Sequence, residues 1–126
     1  MFVDFHTHKT KVESNVFSIY SHSVGNPHSC DEHYLSVGLH PWDISKVDVE
    51  HALAKVESLM DREGVSMVGE CGLDHCHGVS MEVQQQVFER HVLLSEQYAK
   101  PLVIHCVRAF DELLALKKRH KPQQTW

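Results

Sequence analysis

Apolar and polar residues alternate, or recur with a helical period, along most of the chain. Phe2-Val3-Asp4-Phe5-His6-Thr7-His8 is a short β-branched and aromatic run. Strand alternation puts Asp4, His6 and His8 on one face and Val3 and Phe5 on the other. Tyr34 to Leu39 reads as a second strand, with Leu35, Val37 and Leu39 facing one way and Ser36, Gly38 and His40 the other. Pro41 stops it. Val49, Ala52, Leu53, Val56, Leu59 and Met60 form the stripe of an amphipathic helix, with a capping signal at Ser45-x-x-Asp48 and Gly64 behind its end. Val65 to Glu70 predicts a third strand, Ser80 to Tyr98 a second helix, and Leu102 to Cys106 a fourth strand. The second helix buries Gln84, Val87, Phe88, His91, Leu94, Ser95 and Tyr98. A third helix starts near Ala109 and ends at Pro122, with acids in its first turn and Lys117, Lys118, Arg119 and Lys121 near its end, as the helix dipole favours.

One long stretch breaks the pattern. Lys9 to His33 is polar, holds the turn signal Gly25-Asn26-Pro27 and lacks clear periodicity. It is either a functional loop or the site of a short helix or extra strand around Val16 to Tyr20. The remaining order of strands and helices implies a parallel sheet with right-handed crossovers.

Every predicted strand closes on a side chain able to bind metal. These are His6 and His8, then His40, Glu70 and His105, at intervals of 34, 30 and 35 residues. Each interval is close to one strand–helix unit. In a parallel sheet all these ends meet at one rim, so residues about a hundred positions apart converge. Imidazoles and a carboxylate suit Zn²⁺, Mn²⁺ or Fe²⁺, and a carboxylate with waters also suits Mg²⁺. Asp4 either accepts a ring N–H of His6 or is an interior acid bonded to backbone or water.

Composition narrows the classes of function. The 126 residues carry 42% hydrophobic and 23% charged residues, as an ordinary globular domain does, and are read as a single domain, 1–126. No apolar run is long enough to span a bilayer, and the acid and histidines at positions 4–8 do not fit a signal peptide, so the expected location is cytoplasmic. Cysteines 30, 71, 76 and 106 form no C-x-x-C pair and read as reduced thiols, with Cys71 and Cys106 packed under helices. A formal net charge of −5 argues against sequence-independent coating of nucleic acid, but not against a phosphoester held by metal in a cleft.

Each candidate has a plainer alternative. His40 could merely end its strand and bond a loop carbonyl. Arg108 could pair with an acid at the start of the third helix. Gln84 and His91 are expected to bond the outer wall of the sheet. His75-Cys76-His77 is expected to be a solvated loop, since adjacent residues cannot all point at one ion. The basic residues 117–121 are expected to be a solvated helix end.

The motifs taken together are specific. Asp4-Phe5-His6-Thr7-His8, Gly38-Leu39-His40-Pro41, Gly69-Glu70-Cys71-Gly72-Leu73-Asp74 and Pro101 to Ala109 around His105, with Gln84-x-x-x-Phe88-x-x-His91, resemble in order the motifs of the TatD family of metal-dependent hydrolases. The resemblance implies an α/β fold of the (β/α)8 TIM-barrel type, of which the chain would cover about the first four strands, the N-terminal half. It implies two divalent metal ions per complete site, as Mg, Mn or Zn. His6 and His8 would bind the first, Glu70 would bridge the two, and His105 would bind the second. Glu70, His40 and Arg108 are the catalytic candidates, the latter two contacting substrate phosphate. Asp74 would organise the loop after Glu70. The family's further metal-binding His on a later strand, and the late Asp expected to act as base, have no counterpart here.

The leading expectation is therefore a hydrolase, a probable DNase that cleaves phosphodiester bonds with metal-activated water, acting on DNA or another phosphoester without a membrane partner. The alternative is a catalytically inactive half-barrel, a metal-binding or assembly module that self-associates through its open barrel edges.

Overall fold

The computed structural model describes residues 1–11, 14–26 and 34–126. Five strands form one sheet in the order β1 (Phe2–Thr7), β2 (Val16–Ser23), β3 (Tyr34–Gly38), β4 (Val65–Asp74) and β5 (Leu102–Val107). All four neighbouring pairs are parallel. Three helices, α1 (Val49–Leu59), α2 (Met81–Tyr98) and α3 (Phe110–His120), follow β3, β4 and β5. This is the strand–helix alternation expected, with one strand more than the four predicted.

The added strand is β2, within the stretch that had no readable period; the part of that stretch spanning 27–33, including Pro27, lies outside the described residues, as do 12–13. An extra strand around Val16 to Tyr20 is one of the alternatives the sequence offers, and the structure has it. β2 lies between β1 and β3, and Ile19, Tyr20 and Ser21 are buried in succession on it. Burial of consecutive residues leaves no clean alternation to read.

Two other boundaries shift. β3 ends at Gly38, one residue earlier than expected, and Pro41 starts a 3₁₀ turn over Pro41–Lys46, where its fixed φ and missing N–H cost nothing. β4 runs on past Glu70 to Asp74. The cap of α1 shifts within its signal: Asp48, not Ser45, is the N-cap, its carboxylate accepting the His51 N–H at 2.8 Å, and the helix closes at Met60, ahead of Gly64; Ser80 caps α2.

The main core lies between the sheet and the helices, around Val37, Val56, Met60, Val68, Leu73, Phe88 and Val92. Cys71 is buried in it and Cys106 packs against it. A second cluster of Leu39, Ile44, Ala52, Leu53 and Val87 wedges the 3₁₀ turn against α1 and α2. β1 is an edge strand, and Phe2, Val3 and Phe5 on it are exposed. Among the described residues no helix is long and apolar enough to cross a membrane.

Two buried polar side chains of α2 latch the strand ends that carry the rim. His91 Nε2 accepts the Leu39 N–H at 3.0 Å, and its Nδ1 donates to the Val87 carbonyl at 2.8 Å. That fixes the residue before His40. Gln84 accepts the Asp74 N–H at 2.7 Å and donates to the carbonyls of Asp74 and Val79. That fixes the end of β4 and the loop beyond it. Both bond the wall, as expected for polar positions on an apolar stripe.

Burial pushes His91 down to about 4 from the ordinary 6.5. The folded chain keeps the ring neutral where the unfolded chain takes up a proton. Its contribution is complete above pH 6.5 and is lost as pH falls toward 4, a loss of about 3 kcal/mol. Urea unfolding at about pH 7.5 and about pH 4.5 should show this loss in the native chain and a shallower dependence in His91→Gln. Equal dependence in the two proteins would contradict it.

Candidate metal centre

The carboxyl ends of β1, β3, β4 and β5 bring the expected residues together. Glu70 is the hub. Its Oε2 lies 3.3 Å from His6 Nε2 and 3.8 Å from His8 Nε2. Its Oε1 lies 3.1 Å from His105 Nδ1 and 3.6 Å from His40 Nε2. Two three-residue groups thus share one carboxylate: His6, His8 and Glu70, and His40, Glu70 and His105. They open on a cleft of about 440 Å³ that Tyr20, Ser21 and Trp42 also line.

A bulge aims the hub. The β4–β5 register pairs Gly69 with Val103 and Cys71 with Ile104, so Glu70 is the extra residue. A bulge bends its strand and redirects a side chain at a rim. Gly72 permits the closeness of the two strands: its φ is +150°, and a Cβ there would lie 2.0 Å from the His105 carbonyl oxygen. Only glycine fits.

The electrostatics favour an ionised hub. Burial opposes the charge on Glu70, but bonds from His40 and His6 outweigh it and hold the carboxyl well below its usual range. The His6 ring is raised above 6.5, chiefly by its bond to Glu70 and against its partial burial.

The donor set fits divalent metal at His6, His8, Glu70 and His105. Ligands on a tetrahedral ion with bonds of about 2.1 Å lie roughly 3.4 Å apart, close to the spacings around Glu70. His105 is the clearest case. Its Nε2 lies 2.8 Å from Asp74 Oδ2. An ionised carboxylate only accepts, so this nitrogen carries the proton. Nδ1 then turns its lone pair toward Glu70 Oε1 at 3.1 Å, and two acceptors at that distance call for a shared cation or a second ring proton.

His40 differs. Its Nδ1 accepts the Trp42 backbone N–H at 3.1 Å, so in the neutral ring Nε2 holds the proton. It faces the cleft as a donor, suited to an anionic oxygen rather than to a cation. Position groups His40 with His105; tautomer separates them.

Asp74 does more than organise a loop. Its side chain is fully buried, and Oδ1 accepts the N–H groups of Cys76 and His77 at 2.7 and 3.0 Å. Oδ2 takes His105 Nε2–H and the Trp42 indole N–H, each at 2.8 Å. Burial disfavours its charge, yet His105, Trp42 and the loop amides hold its carboxyl well below the usual range.

The other candidates lie apart. Arg108 follows β5 in a left-handed conformation with φ 52°, is exposed, and makes no hydrogen bond or ion pair with the described residues. His75 bonds Glu112 at 2.7 Å on α3, Cys76 is exposed, and His77 meets Trp42 at a tilt of 48°, so this loop does not converge on one point. Asp4 Oδ1 accepts the His6 backbone N–H at 3.3 Å, while His6 Nδ1 is buried without a partner among the described residues. Asp4 therefore does not orient the ring. Arg119 and His120, at the basic end of α3, pair with Glu89 on α2.

Comparison with known proteins gives the family and the fold. The family described as TatD related DNase matches residues 4–125. The 3'-5' ssDNA/RNA exonuclease TatD of Edwardsiella piscicida is 36% identical over 84 residues, which are 66% of this chain and 32% of that protein. A protein described as an uncharacterized metal-dependent hydrolase of Mycoplasma pneumoniae is 32% identical over 91 residues, covering 70% of this chain and 35% of its own length. The matched stretch thus spans about a third of these curated relatives. The fold is similar to the crystal structure of YJJV, a TatD homologue from Escherichia coli K12, with a TM-score of 0.78 and 23% identity, over 98% of this chain and 57% of that one.

Proposed function

The chain belongs to the TatD related DNase family, and from that premise we propose that its rim holds two divalent ions and hydrolyses phosphodiester bonds in single-stranded nucleic acid. The observation that carries this reading is the convergence of His6, His8, His40 and His105 on the one carboxylate of Glu70. The relatives' printed activities favour a hydrolase over a silent metal-binding module. The complete architecture in this reading is a (β/α)8 barrel, of which this chain supplies one arc.

His6 and His8, with Glu70 Oε2, would hold one ion as Mg, Mn or Zn. His105 Nδ1, with Glu70 Oε1, would hold the second. Divalent cations so placed supply an activated water and neutralise charge at phosphorus. The chain's own groups do the rest. Glu70 stays ionised because the imidazoles face it. Asp74 keeps the proton of His105 on Nε2, leaving Nδ1 free to ligate. His40 Nε2–H donates to a phosphate oxygen, with its tautomer set by the Trp42 amide. Arg108 stands outside the cleft and would reach only a more distant phosphate.

The test is hydrolysis of single-stranded DNA and RNA oligonucleotides with Mg²⁺ or Mn²⁺. Cation-dependent shortening that stops on chelation is expected. A protein that binds the cations yet cleaves neither polymer would overturn the hydrolase reading.

A further inference from the structure

We propose that Trp42 is a fixed stacking platform for an unpaired nucleobase next to the phosphate held at the Glu70 rim. This rests on the nucleic-acid reading above. Trp42 is 46% exposed, a large apolar ring on the wall of a polar cleft. It is not needed as core, since Ile44 fills that role two residues on.

Its polar end is already occupied. The indole N–H donates to the buried Asp74 carboxylate, and the backbone N–H donates to His40. What the side chain still offers to a ligand is π-surface. The ring is also held in place before any ligand arrives. It meets His40 and His105 edge-on, at centroid distances of 5.1 and 5.6 Å, and His77 at 5.0 Å. A prearranged aromatic loses little side-chain freedom on binding.

Charge points the same way. At a net charge of −5 the chain has no general electrostatic hold on a polyanion. Stacking is independent of net charge and tolerant of base identity, because every base has a π-face. It needs a base that is unpaired and splayed, so it selects single strands over duplex. His40 and His105, which touch both Trp42 and Glu70, put the platform beside the Glu70 rim.

The test uses a fluorescent single-stranded oligonucleotide with cleavage-resistant phosphorothioate links, with Mn²⁺ present, and a twin lacking the terminal base. Trp42→Ala should weaken binding of the complete strand by about 5- to 150-fold, while Trp42→Phe keeps most of the affinity. Loss of the base and loss of the ring should not add, since each removes the same contact. Penalties that add in full would overturn the platform and leave the nucleic-acid reading standing. Failure of the native chain to bind any oligonucleotide would overturn both. A measurement on the native chain guards against misfolded variants: 2-aminopurine as the terminal base should be quenched on binding, and unchanged brightness would overturn the proposal.

Discussion

Replacing Glu70 by glutamine is expected to abolish measurable cation-dependent hydrolysis and to weaken divalent-ion binding by more than about 100-fold, beyond the 10–100-fold typical of a partner one step removed from the metal. The size follows from the position of this one carboxylate. Both groups of donors share it, with His6 and His8 on Oε2 and His105 on Oε1. Loss of a single histidine impairs one group; loss of the charge on Glu70 impairs both. Glutamine keeps the shape but is neutral, and its NH₂ faces ring nitrogens that must act as ligands. Calorimetric titration with Mn²⁺ and initial rates on a single-stranded substrate read the two effects. A variant within threefold of the native protein in both would remove Glu70 from the centre of the account.

Asp74→Asn should produce the next largest effect, although Asp74 touches no ion in this reading. Its carboxylate accepts four hydrogen bonds in a buried site. Asparagine replaces one acceptor oxygen by a donor, which leaves at least one of those groups facing an N–H. A lost bond to a buried charged group costs roughly 1.5–3 kcal/mol, and the stranded donor adds to it. The functional effect runs through His105. Without an ionised partner on Nε2 the ring can place its proton on Nδ1, where it blocks the metal. We expect metal affinity at the second ion to fall by about 10- to 100-fold, with the first ion little changed. Biphasic titration curves separate the two. Equal weakening of both ions would mean that Asp74 acts only by general destabilisation.

These effects differ in how far sequence could foresee them. His6, His8, His40 and His105 were legible because each closes an apolar run, and parallel strands bring such ends to one rim. Glu70 was legible as a residue but not in its aim, since the bulge that turns it depends on the register with β5. β2 was legible only as one of several alternatives, because its apolar and polar residues do not alternate cleanly and Ile19, Tyr20 and Ser21 are buried in succession. Asp74 bonds Trp42 and His105 across 32 and 31 residues, and no period in the sequence encodes such a pairing. Arg108 was legible as a residue but not in its backbone, which takes a left-handed φ of 52° between β5 and α3. Trp42, next to His40-Pro41, carried one signal that could have found it: a large aromatic that breaks the apolar pattern just past a strand end.

In the proposed function the rim holds two ions on one carboxylate, with His105 bound through Nδ1 and His40 kept as a donor. Anomalous diffraction from crystals soaked in Mn²⁺ addresses it most directly. The expected result is one peak bounded by His6, His8 and Glu70, a second between Glu70 and His105 Nδ1, and no bond from His40. A peak at the His75–His77 loop with none at Glu70, or a cation bonded to His40 Nε2 in place of His105, would contradict it.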